Sequence, residues 1–128
     1  FPVKPAFGFR FDSGSHSIVV SGDSRPDPNL IRHAAGADIL VHEAYVGSND
    51  SSGGPGTRPW SVRDYHTSAK EAGEVAEKAK VKTLVLTHLM PANAPEKLFL
   101  DEARKTFGGK VIAGRDLMRV DTAGDVDP

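Results

Sequence analysis

Hydrophobic and polar residues alternate near the start of the chain. Phe7, Phe9 and Phe11 share one parity, and Gly8, Arg10 and Asp12 share the other. A period of two with aromatics predicts a strand over 6–12 with one buried face. Ser13-Gly14-Ser15-His16 has turn chemistry and predicts a hairpin into Ser17-Ile18-Val19-Val20-Ser21. That second strand is apolar on both faces, which predicts a central position in a sheet. Helical units then alternate with short apolar runs. Asp27 followed by Pro28 predicts a capped helix running to about Ala35 and ended by Gly36. Asp38-Ile39-Leu40-Val41-His42 predicts a buried strand. Ser68 to Glu71 fits a capping box, and Ala72, Val75, Ala76 and Ala79 continue at helical spacing to about Lys80. Thr83–Leu86 predicts another buried strand. Pro95 opens a helix that buries Phe99, Ala103 and Phe107, and Gly108-Gly109 stops it. Lys110–Ala113 and Leu117–Val120 predict strands around a break at Gly114, and the polar residues 121–128 predict a frayed tail. Strands alternating with helices predict an α/β domain with parallel pairing. Residues 46–61, rich in Gly, Ser and Pro, predict a long loop that either shapes a substrate pocket, with Trp60 and Tyr65 near its end, or is a disordered stretch of surface.

Composition narrows the function classes. The 128 residues carry 16 basic and 17 acidic side chains, a formal charge of −1. That balance excludes a nucleic-acid-binding face built on net charge and argues against a nuclease, while leaving a local patch from Lys4, Arg10, Arg25, Arg58 and Arg63. There is no cysteine, so disulfides, thiolate metal sites and a cysteine nucleophile are excluded. No apolar run approaches the ~20 residues of a membrane span. The chain opens on Phe1 with no signal-peptide pattern, as expected of a fragment or a processed product.

The polar residues of the buried runs gather at their C-terminal ends: Asp23 after the second strand, His42-Glu43 after the third, His88 after the fourth and Asp116 after the fifth. Ligands of open α/β sheets bind beyond those ends. Parallel neighbours would bring these residues to one edge, joined by His66 just before a capped helix. Carboxylates with imidazoles suit zinc, manganese or iron, and suit general acid–base work. Taken singly, Asp23 fits an Asx-type loop cap, and His42, His66 and His88 fit ordinary hydrogen-bonded histidines. His16 and His33 read as solvated. Only the convergence points to a site. Its ligand count is short: a catalytic zinc takes about three protein ligands and a two-metal site about twice that. The sequence has no His-x-His pair and no His-Glu-x-x-His.

Five ordered segments carry a resemblance: Ala6-Phe7-Gly8-Phe9-Arg10-Phe11; Val20-Ser21-Gly22-Asp23-Ser24; Ala37 to Tyr45; His66-Thr67-Ser68 with Glu71-Ala72; and Leu86-Thr87-His88. Their order and spacing resemble the C-terminal half of the metallo-β-lactamase-fold hydrolases, in the tRNase Z-like and arylsulfatase-like branch. The resemblance spans about residues 1–120. It implies half of an αββα sandwich, a mixed sheet with flanking helices, whose active site lies at the sheet edges. It implies that Asp23 is the carboxylate bridging two metal ions, zinc most commonly, and that His88 is a ligand of the second. His66 resembles the histidine that gives a proton to the leaving group, or contacts the scissile phosphate, and Glu43 the acid that orients it. The family's His-x-His-x-Asp-His motif and its next ligating histidine are absent; both normally lie upstream. Tyr45 stands where tRNase Z members usually carry Thr, and any tRNA-binding arm would also lie upstream.

Two functions follow as expectations. One is a two-metal hydrolase of a phosphodiester, a sulfate ester or a related ester, with a small-molecule or nucleic-acid substrate, whose site is completed by a missing N-terminal half, another chain or a homo-oligomer. The other is a non-catalytic α/β half-domain that mediates assembly through an exposed apolar sheet face.

Overall fold

The computed structural model describes residues 4–47 and 62–127. β1 (Phe9–Ser13) and β2 (His16–Val20) form the expected hairpin. Then follow α1 (Pro28–Ala34), β3 (Ile39–Tyr45), a 3-10 turn (Val62–Asp64), α2 (Ala69–Ala79), β4 (Thr83–Met90), α3 (Glu96–Arg104) and β5 (Lys110–Ala113). The five strands lie in sequence order, with β1 antiparallel to β2 and every later pair parallel. Such monotonic order needs a crossover between each parallel pair, and α1, α2 and α3 supply them.

All three helices cover one face. Val19, Leu40, Leu84, Leu86 and Val111 point from the strands into a core with Ala72, Val75, Ala76, Phe99 and Ala103 from the helices. The opposite face carries a smaller cluster of Ile39, Val85 and Ile112, flanked by Ile18, Val41, Met118 and Val120. One mixed sheet with one helical layer is the half-sandwich expected. The caps form as their residues dictate: Asp27 accepts from the Asn29 N–H at 2.6 Å, and Ser68 and Glu71 close a reciprocal capping box.

Three expectations change. The phenylalanine face of the first strand is not buried: Phe7, Phe9 and Phe11 are 66, 57 and 59% exposed. Phe9 and Phe11 pair with Val20 and Ile18, on the face that no helix covers. Leu117–Val120 forms no strand of its own. Met118 N–H donates to the Arg115 carbonyl in a turn, and Val120 bridges Val126. The tail to residue 127 is correspondingly ordered: Asp121 N–H donates to the Asp125 carbonyl, and the Asp121 carboxylate accepts from the N–H groups of Ala123 and Asp125. An Asp that satisfies its own turn is the reason a polar stretch holds a shape. Of the long loop, residues 48–61, including Arg58 and Trp60, lie outside the described residues.

The N-terminal ends of three strands are tied by Asp38, a buried carboxylate. It accepts from the Ser17 N–H at 2.9 Å and from Lys82 Nζ at 2.6 Å, and His16 Nδ1 lies 3.3 Å away. The Lys82 ammonium, then the Ser17 N–H, hold its carboxyl down at about 2, from an ordinary 3.8.

Candidate active site

Parallel pairing of β2, β3 and β4 brings their C-terminal ends to one edge, and the chain leaves each strand there with a titratable side chain. Asp23 follows β2, Glu43 ends the regular part of β3, and His88 lies in β4. His66 arrives from the segment before α2. Its neighbour Thr67 accepts the Tyr45 N–H through its carbonyl at 3.0 Å, and Ser68 bridges Tyr45, so the segment is sewn to the end of β3. Ligand atoms of Asp23, Glu43, His66 and His88 all lie within 4.8 Å of one another.

Glu43 organises the group. Its side chain is buried; one oxygen accepts from the Ser24 N–H at 2.6 Å, and the other lies 2.7 Å from His66 Nδ1. Thr67 Oγ1 also donates to the Ser24 carbonyl, at 2.5 Å. One carboxylate therefore fixes the loop carrying Asp23 relative to the ring of His66, and leaves Nε2 as the His66 nitrogen that Glu43 does not engage. Burial pushes the Glu43 carboxyl above its ordinary 4.5, against the Ser24 N–H and His66, which pull it down.

Asp23 and His88 form the outer pair. His88 Nδ1 lies 2.9 Å from Asp23 Oδ1, and the His88 ring meets that of His66 edge-on at 5.5 Å between centroids. His88 owes its place to a bulge. Glu43 pairs with Thr87 and Ala44 pairs with Leu89, so His88 is the extra residue, at φ 44°. A bulge re-aims one side chain while β4 continues beyond it to Met90. That is why the strand outruns the Thr83–Leu86 segment expected from its apolar run.

Of the residues expected on this edge, His42 and Asp116 stand outside the group. Alternation along β3 turns His42 to the helical face, where it is 0% exposed. Its Nδ1 donates to the Glu43 carbonyl at 2.8 Å, its Nε2 has no partner among the described residues, and burial lowers its pKa to about 4. Asp116 lies beyond β5, on the wall of a cavity that also includes His88. The contribution of the Ser24 N–H and Thr67 hydroxyl is not visible in residue types; only their adjacency to Asp23 and His66 hints at it.

The donor set fits a metal in part. Carboxylate and imidazole are donors that zinc, manganese and iron accept. With Glu43 committed to Ser24 and His66, Asp23, His88 and Nε2 of His66 remain, which reaches the roughly three protein ligands of a single catalytic zinc and falls short of the larger set a two-metal site takes.

Comparison with known proteins agrees with this fold. Residues 2–89 match the model of the beta-lactamase superfamily domain. Ribonuclease Z of Mycobacterium bovis (strain BCG / Pasteur 1173P2) is 40% identical over 122 residues, which cover 94% of this chain and 43% of that protein. The chain thus spans less than half the length of this curated relative. Among solved structures, the metallo-beta-lactamase fold protein YhfI from Bacillus subtilis superposes with a TM-score of 0.67 at 30% identity, over 88% of this chain and 44% of that one. Human tRNase Z, short form, shares the fold, with a TM-score of 0.56 at 21% identity, over 87% of this chain and 35% of that one. A half-sandwich with its polar strand ends gathered at one edge, matched across most of its length, belongs to the beta-lactamase superfamily.

Proposed function

We propose that the protein, with the other half of its sandwich in place, is a metal-dependent hydrolase that cleaves phosphodiester bonds in RNA. The observation that carries this reading is the buried Glu43–His66 pair set 2.7 Å apart beside Asp23 and His88. The relatives named ribonuclease Z support the phosphodiester over the sulfate ester.

In this reading Asp23 and His88 contribute to holding the metal, zinc by preference and two ions per sandwich. The remaining ligands come from outside this chain, from a preceding segment or another copy. Bound divalent ions supply an activated water and offset negative charge on the scissile phosphate. The chain's own residues do the rest. Glu43 holds Nδ1 of His66, so that Nε2 faces the reaction with a settled orientation. His66 delivers a proton to the departing ribose oxygen, the role of a general acid. Ser24 and Thr67 keep Asp23 in register with that ring.

The test uses the full-length protein. Metal content is read by mass spectrometry, and turnover is read on RNA with a 3′ extension. Asp23→Ala is expected to lose metal and turnover together. His66→Ala is expected to keep its metal and lose roughly 10²–10⁴-fold in kcat. Turnover that survives Asp23→Ala would sink the proposal. A wild-type protein that neither binds metal nor cleaves RNA would leave the assembly-module reading, which the exposed Phe9 and Phe11 favour.

A further inference from the structure

Strand β2 leaves the sheet before its neighbour does. Its last paired residue is Val20, opposite Val41, whereas β3 runs on to Tyr45. The Ser21 N–H closes the ladder on the Val41 carbonyl at 2.9 Å. Bonds of a parallel ladder are evenly spaced, so Glu43 is the next residue of β3 whose backbone faces β2. A ladder carried one step further would set the Glu43 N–H on the Ser21 carbonyl and the Asp23 N–H on the Glu43 carbonyl. Side chains take both places. The Glu43 N–H donates to Ser21 Oγ at 3.4 Å, and His42 Nδ1 donates to the Glu43 carbonyl at 2.8 Å. A backbone group left bare in the interior costs as much as a lost hydrogen bond, so β2 departs here only because these groups have other partners.

The departure builds the site. The chain turns at Gly22, φ 64°, where an added Cβ would stand 2.8 Å from the Phe7 carbonyl oxygen. It then returns to Glu43 through a different atom, the carboxylate, which accepts from the Ser24 N–H at 2.6 Å. The other carboxylate oxygen holds His66, and Asp23 comes to rest beside His88. An Asp23 N–H spent on the Glu43 carbonyl would keep the chain extended along β3 and carry Ser24 past the carboxylate.

Of the two stand-ins, His42 makes the shorter contact and is wholly enclosed. Leu40 and Ala44, which share its face of β3, belong to the core formed with this chain's own helices, so the other half of the sandwich plays no part in burying it. A carbonyl only accepts, so the ring proton sits on Nδ1. Nε2 then presents a bare lone pair, with no partner among the described residues. An orphaned nitrogen in an apolar core is a cost that a residue serving only to pack would not carry. The Nδ1 donor accounts for it.

We propose that His42 is a positioning residue. By donating Nδ1–H to the Glu43 carbonyl it replaces the strand partner that Asp23 gives up, and so sets the Asp23–Ser24 turn and the Glu43–His66 pair. Its effect on turnover rests on the RNA hydrolase reading above, while its effect on His66 does not.

The experiment uses the full-length protein. Nitrogen NMR with labelled histidine rings is expected to show the His42 proton on Nδ1, and a proton on Nε2 would overturn the proposal. His42→Leu fills the space without a donor and removes the orphaned nitrogen. It is expected to melt no lower than the wild type, yet to lose roughly 10–100-fold in kcat on RNA with a 3′ extension, the scale on which supporting hydrogen bonds act. The His66 Nδ1 resonance, set by Glu43, is expected to shift with it. His42→Asn puts an amide nitrogen where Nδ1 stands and is expected to restore both turnover and resonance. His42→Gln puts one where Nε2 stands and is expected to restore neither. A His42→Leu that turns over like the wild type overturns the proposal, as does a His42→Asn that falls as far as His42→Gln. Should His42→Leu melt lower or without cooperativity, the comparison of Asn with Gln decides. If the wild type cleaves no RNA, the hydrolase reading fails and the His66 resonance decides alone: a shift in His42→Leu that His42→Asn reverses supports the positioning role, and an unmoved resonance overturns it. Equal cleavage by the wild type and His42→Leu would spare the hydrolase reading and defeat the positioning role.

Discussion

The helical layer that supports the site is drawn extremely close at Gly73, and the closeness yields a quantitative prediction. Gly73 sits mid-way along α2, facing α3. A Cβ placed there would lie 2.3 Å from Thr106 Oγ1 and 2.4 Å from the Ala103 carbonyl oxygen, whereas ordinary contact begins at 3.4 Å. The threonine can rotate away, but the carbonyl belongs to the helix end and must retreat by about 1 Å. Alanine in a helix interior is worth about 1 kcal/mol over glycine. Against that stand roughly 1–3 kcal/mol for overpacking and about 1 kcal/mol for the Thr106 Oγ1 bond to the Lys70 carbonyl, 2.7 Å long in the native contact. Gly73→Ala should therefore lower stability by about 1–3 kcal/mol, read as a lower urea midpoint at unchanged slope. Gly108 supplies the control. Nothing lies within 4 Å of its added Cβ, so Gly108→Ala should be neutral or gain up to about 1 kcal/mol through the unfolded chain. If both variants unfold at the wild-type midpoint, helix contact at Gly73 does not govern the packing of α2 on α3.

Glu43→Gln keeps the shape of the buried side chain and removes its charge. It should cut kcat at least about tenfold with KM little changed, and should not lower stability at neutral pH, because burial already disfavours the carboxylate; a melting temperature well below wild type would contradict this. Gly22→Ala combines a left-handed φ with a 2.8 Å contact, so it should cost about 1–3 kcal/mol by thermal unfolding; an unchanged melting temperature would show that the Phe7 segment simply moves aside. Asp38 has a folded pKa below its unfolded one, so its stabilisation is present above 3.8 and lost as pH falls toward about 2. Asp38→Asn should flatten the acid limb of stability against pH in that window, measured by urea midpoints; an unaltered limb would assign the acid sensitivity elsewhere.

Much of this arrangement is legible in residue types, because α/β sheets concentrate polar residues where their strands end. Asp23, Glu43 and His88 stand out as titratable side chains within three residues of the ends of apolar runs, and His66 as a histidine just before a capping box. Alternation explains why His42 does not join them. Other features are invisible because they depend on tertiary packing. The phenylalanines of β1 alternate as a buried face would, yet only the face opposite them carries helices. The bulge that turns His88 inward requires knowing the register of β3 on β4. The closeness of Gly22 to Phe7 and of Gly73 to Ala103 links residues far apart in sequence, where a glycine alone carries no address. Asp121 looks like the start of a loose end, and only its hydrogen bonds disclose a turn.

Two buried carboxylates mark strand β3, Asp38 just before it and Glu43 near its end, and their pKa values are displaced in opposite directions. On acidification Glu43 takes up its proton first. A carboxyl whose folded pKa is raised binds that proton more readily folded than unfolded, so this step does not weaken the fold. Asp38 stays ionised until about pH 2 and goes on tying the strand starts together. The two ends of β3 thus answer acid in order: the end that holds His66 changes its charge while the end that anchors the strand starts is still intact.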